Sequence, residues 1–130
     1  MGALTVEHEG DDRFAIAVRG HVVHVDQPVE DHGSDSGPTP VELMVGSLAA
    51  CVAHYARRYL RRHELPQEGL RVDATWESAS SPSRVGSIAI SITLPEGVPE
   101  ERRAPLLAVS SHCTVHNSFA HAPEITVALA

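Results

Sequence analysis

Residues 38–63, Pro-Thr-Pro-Val-Glu-Leu-Met-Val-Gly-Ser-Leu-Ala-Ala-Cys-Val-Ala-His-Tyr-Ala-Arg-Arg-Tyr-Leu-Arg-Arg-His, constrain the fold more than any other stretch. Thr39 followed by Pro40 reads as an N-cap and a first helical residue. The cap offers an acceptor to free N–H groups, and the N–H that proline lacks is one a helix start leaves unpaired anyway. Glu42 puts a carboxylate in the first turn, and Arg57, Arg58, Arg61, Arg62 and His63 fill the last turns, each matching the helix dipole. Val41, Met44, Val45, Leu48, Val52, Tyr55 and Tyr59 recur at helical spacing and form an apolar stripe. Gly46, Ser47, Ala49, Ala50 and Ala53 are small enough for another element to pack closely. The charge-free run from Leu43 to Ala53 is too short to span a bilayer.

The rest of the chain must cover that stripe. Leu4–His8, Arg13–Val18 and His21–Asp26 read as three short strands, separated by turn signals at Glu9–Asp12 and Arg19-Gly20, and so as an N-terminal meander. Gln27–Thr39 mixes Pro and Gly with Asp and Ser and is a loop feeding the helix. Beyond the helix, Leu70–Trp76 and Val85–Leu94 alternate as the strands of a second hairpin. Pro99 starts a helix running to about Val109, with Pro105 expected to kink or end it. A last short helix begins near Cys113, and Glu124–Leu129 alternates as a closing strand. Strands, then a buried helix, then strands, then helices define an α+β chain rather than an alternating parallel one, and 130 residues make a single domain spanning 1–130.

Charge and composition narrow the function. The net charge of −7 argues against a general nucleic-acid binder. All ten basic residues are arginine, so Schiff-base and P-loop lysine chemistry are excluded. Met1–Gly10 is polar and acidic, unlike a secretory signal, and the expected location is the cytoplasm, with no membrane partner. In a reducing compartment a cysteine pair points to redox or metal chemistry, set against two buried thiols packing as small apolar residues.

The two cysteines read differently. Cys51 lies within the apolar helix and is expected to be a quiet thiol. Cys113 stands at a helix start between His112 and His116 and is expected to be the activated one. Which reacts and which resolves stays open at this level. Cys51…His54 and Cys113…His116 also compose two Cys-x-x-His pairs, an alternative that would assemble a zinc site.

Gly37-Pro38-Thr39-Pro40-Val41-Glu42-Leu43-Met44, then Ser47-Leu48-Ala49-Ala50-Cys51, then Cys113-Thr114-Val115-His116-Asn117-Ser118 together resemble the OsmC/Ohr-like family (osmotically inducible protein C and organic hydroperoxide resistance). The Glu9–Arg13 turn and Val25-Asp26-Gln27-Pro28 resemble it too, so the likeness covers nearly the whole chain. The resemblance implies an intertwined homodimer around the cysteine-bearing helix and thiol-dependent reduction of small organic hydroperoxides. It implies Cys51 as the attacking thiol, Cys113 as its disulfide partner, a dithiol or thiol reductant, and no cofactor. It also implies an arginine that stabilises the thiolate, Arg13 first and Arg19 second, held by a glutamate at the helix start. The acid here is Glu42, whereas the family's peroxidases carry theirs one position earlier, where this chain has Val41. The alternative is a protein of the same fold without efficient peroxidase activity, binding a small apolar or thiol-reactive ligand at the dimer interface.

Overall fold

The computed structural model describes residues 1–130 and shows an α+β chain that divides into two compact units, Met1–Met44 and Val45–Ala130. No helix is long and apolar enough to cross a membrane.

The first unit is an antiparallel meander of β1 (Thr5–Gly10), β2 (Arg13–Val18) and β3 (His21–Val25), in that spatial order. Val18 pairs with His21, so Arg19 and Gly20 alone make the β2–β3 turn. Both have positive φ, 48° and 81°. That is the backbone a two-residue hairpin needs to match the strand twist, and glycine adopts it without a Cβ clash.

The loop after β3 is organised by one carboxylate. Asp26 is buried, and its Oδ1 accepts the main-chain N–H groups of Gln27 (2.7 Å) and Ser34 (3.4 Å). Its Oδ2 accepts the Ser36 N–H (3.1 Å) and the Ser36 hydroxyl. The Ser36 hydroxyl, with the Gln27 and Ser36 amides next, favours the charged form and holds the Asp26 pKa down to about 2. The loop folds back so tightly that a Cβ on Gly33 would stand 1.9 Å from the Gln27 carbonyl oxygen.

The loop delivers the chain into α1 (Pro40–Arg62). Thr39 Oγ1 accepts the Glu42 N–H (3.1 Å) while Glu42 Oε1 accepts the Thr39 N–H (2.8 Å), a reciprocal capping box. Loss of such a cap costs a helix about 1 kcal/mol.

In the second unit, β4 (Arg71–Ala79) and β5 (Arg84–Thr93) form an antiparallel hairpin. The pairs Val72–Ile92, Ala74–Ile90 and Trp76–Ile88 are opposite one another on one face. Gly86 sits at the bulge near the hairpin end, where an added Cβ would meet the Ala79 Cβ at 2.7 Å. The buried stripe of α1 supplies two cores. Ala56, Tyr59 and Leu60 pack with Leu106, flanked by Leu70, Ile92 and Leu94. Leu48 and Val52 pack with Cys113, flanked by Val72, Ile88 and Ile90.

Two expectations need correction. A short 3-10 turn, Glu100–Arg102, precedes α2 (Arg103–Ser110), so Pro105 lies in the first helical turn. The N–H it lacks there has no intrahelical acceptor, and the proline neither kinks nor ends the helix. After α3 (Thr114–Ala120), residues 121–130 form no strand. The alternation of Ile125, Val127 and Leu129 is present in the sequence, but a strand also needs a hydrogen-bonding neighbour, and all three side chains stand exposed.

The folded-state pKa of Asp26 lies below its ordinary value of 3.8. Its contribution is therefore complete above about pH 4 and lost as pH falls through about 2. Thermal melts are expected to show Asp26→Asn less stable than the parent at neutral pH, with the gap closing across that acidic window. A gap that stays constant on acidification would contradict the role given to the carboxylate.

Candidate functional site

The second unit brings the two free cysteines together. Cys51 lies on the partly exposed flank of α1, in the middle of the helix. Cys113 is the N-cap of α3 and is 0 % exposed, enclosed by Leu48 and Val52. Its Sγ accepts the His116 main-chain N–H at 3.4 Å, the bond an N-cap makes. The two thiols lie within hydrogen-bonding reach of each other.

Burial pushes the Cys113 thiol up. The His116 N–H partly offsets this by favouring the thiolate, and the neighbouring Cys51 raises it further. The expected order is therefore corrected for Cys113: the helix start does favour its thiolate, but removal from water outweighs that one long bond. Two adjacent thiols accommodate one negative charge far more readily than two, and burial of Cys113 favours the proton on its sulfur.

A side-chain bond links the segments that carry the two sulfurs. Tyr55, one turn beyond Cys51, and Thr114, next to Cys113, join through their hydroxyls at 2.8 Å. The Arg58 guanidinium carbon lies 5.1 Å from the Tyr55 ring centre and covers the ring. In the sequence Tyr55 reads only as part of the apolar stripe and Thr114 only as part of the second cysteine motif, because nothing local marks a contact between residues 59 positions apart.

The other expected site residues lie in the first unit. Arg13 Nε donates to Glu9 Oε1 at 3.0 Å, and the same oxygen lies 2.7 Å from His24 Nδ1. His24, then Arg13, hold the Glu9 carboxyl below its usual range, against partial desolvation. Arg19 occupies the β2–β3 turn, and Glu42 spends one carboxylate oxygen on the helix cap, beside an exposed Val41. The alternative zinc site is not assembled: no three His, Cys, Asp or Glu side chains come together in a metal-binding group.

The family model for OsmC-like proteins matches residues 33–128. Among solved structures, the chain is similar to an osmotic stress induced and detoxification response protein from Psychrobacter arcticus, with TM-score 0.83, 24% identity, and coverage of 91% of this chain and 88% of that one. It is similar to an OsmC-like protein from Mycoplasma pneumoniae, with TM-score 0.80, 16% identity, and coverage of 94% and 89%. It is also similar to an organic hydroperoxide resistance protein from Legionella pneumophila, with TM-score 0.62, 14% identity, and coverage of 90% and 88%. At these identities the likeness establishes the fold. No curated protein matches the sequence.

Tyr55→Phe and Thr114→Val are each expected to lower unfolding stability by about 0.5–1.5 kcal/mol. The double variant should lose little more than either single one, since both remove the same bond. Additive losses in denaturant titrations would contradict the link.

Proposed function

Because the chain belongs to the OsmC-like protein family, we propose that it is a thiol-dependent peroxidase that reduces organic hydroperoxides, with Cys51 attacking and Cys113 resolving. The observation that carries this reading is the asymmetric cysteine pair: a partly exposed Cys51 beside a fully buried Cys113, whose thiol burial pushes up. The Cys51 thiolate attacks the terminal peroxide oxygen, the O–O bond breaks, and the organic oxygen leaves as an alcohol after taking up a proton. Cys51 becomes a sulfenic acid. The Cys113 sulfur then displaces its oxygen, which departs as water with the Cys113 proton, and an intrachain disulfide forms. A dithiol reductant restores both thiols and is itself oxidised to a disulfide.

The Legionella pneumophila structure carries the name of an organic hydroperoxide resistance protein, which supports the substrate class. Within this reading Arg13, with Arg19 second, is the cation that stabilises the Cys51 thiolate, and Glu42 is the acid that orients it. The assembly is a cytoplasmic homodimer. A second copy would cover the exposed small face of α1 at Gly46, Ser47 and Ala50, where a Cβ on Gly46 would meet nothing within 4 Å, and the exposed Ile125, Val127 and Leu129.

Val41 and the capping role of Glu42 favour a second reading, in which the same fold binds a small apolar or thiol-reactive ligand without efficient turnover.

Consumption of tert-butyl hydroperoxide with dithiothreitol distinguishes the two. The peroxidase reading expects rapid loss of the peroxide, abolished by Cys51→Ser, with Cys113→Ser still reacting once but losing the intrachain disulfide. Slow consumption indifferent to Cys51→Ser, with a large gain in Val41→Glu, would favour the second.

A further inference from the structure

The last turns of α1 carry Tyr55, Arg58, Tyr59 and Arg62 at spacings of three and four, so these side chains share one face of the helix. With Val109 of α2 they line a cavity of about 240 Å³ that no cysteine borders. Its wall holds two arginines and no acidic residue. Neither arginine has an ion-pair partner, whereas Arg13, Arg71 and Arg103 meet Glu9, Asp73 and Glu100. Arg58 is held all the same. Its guanidinium carbon lies 5.1 Å from the centre of the Tyr55 ring, and the Tyr55 hydroxyl is bonded to Thr114. Arg102 donates to the Tyr59 hydroxyl at 3.5 Å and brings a third positive charge close to the wall. Like charges one helical turn apart repel, and an anion between Arg58 and Arg62 relieves that repulsion.

We propose that this cavity binds a small organic carboxylate, with its head group between Arg58 and Arg62 and its apolar body against Tyr59 and Val109. Charge and size define the class. A guanidinium presents its N–H groups as a planar fork that fits the two oxygens of a carboxylate. The cavity lies along the carbonyl end of α1, where the helix dipole is negative, so the anion is held by side chains alone. A single negative charge suits that position better than the nearly double charge of a phosphate group. A cavity of about 150 Å³ admits benzene, so this one takes one aryl ring or a short alkyl chain behind the head group. The inference is independent of the peroxidase reading, which needs the two sulfurs and not this face of the helix.

Benzoate is titrated into the reduced protein and followed by NMR of the arginine Nε–H groups and the Val109 methyls. Benzamide supplies the ring without the charge, and acetate and inorganic phosphate supply the charge without the ring. Benzoate is expected to move the Arg58, Arg62 and Val109 signals together and to saturate, with each of the other three probes binding more weakly. Arg58→Gln and Arg62→Gln, both at exposed positions, should each weaken benzoate about three- to tenfold, the worth of one charged hydrogen bond near the surface. Arg57→Gln removes the same charge from the same helix outside the cavity and should leave benzoate binding unchanged. Acetate or phosphate binding as tightly as benzoate would reduce the site to an adventitious ion only and overturn the proposal. Benzamide matching benzoate, an equal loss in Arg57→Gln, or shifts that do not saturate would overturn it too. Cys51→Ser should bind benzoate as the parent does, so a missing peroxidase activity and an absent carboxylate site give separate results.

Discussion

The burial of the Cys113 sulfur against Leu48 and Val52 is the constraint on which the second unit depends. The sulfur is a core atom, as closed to water as a leucine methyl, and it also caps α3 through the His116 N–H. Packing thus sets the start of α3, and the start of α3 sets where the second thiol meets the first. The same burial decides the proton. Without solvent, one hydrogen bond at 3.4 Å does not offset the loss of hydration, and the thiol stays protonated. Cys51, on the flank of the same helix, is the more exposed of the two cysteines.

Much of this architecture was legible in the sequence. Thr39-Pro40 fixed the start of α1 because capping and the missing proline N–H are local effects, and Arg13–Val18 read true because alternation is local too. The second hairpin followed from the isoleucines of β5, which face Val72, Ala74 and Trp76. Glu42 was read as a first-turn acid, although Thr39-x-x-Glu42 spells the capping box that the structure forms. Pro105 departs from the sequence expectation because the helix boundary, not the residue, decides whether a proline is awkward.

What could not be read is what depends on tertiary burial or on a distant partner. A helix start does favour the Cys113 thiolate, but the sequence does not say which helix starts are sealed from water. The C-terminal alternation has the strand signature without a neighbour to pair with, and Ile125, Val127 and Leu129 extend outward. Together with the open small face around Gly46, it accounts for why a homodimer is part of the proposed assembly.

The order of reactivity of the two thiols tests the central claim most directly. Reduced protein is treated at neutral pH with iodoacetamide below one equivalent, and each cysteine's modification is quantified by peptide mass spectrometry. The account predicts that Cys51 is alkylated first and that Cys113 reacts only when the fold opens, as in denaturant. Preferential alkylation of Cys113 in the folded protein would contradict it, because the helix start would then outweigh burial and the roles of the two sulfurs would exchange.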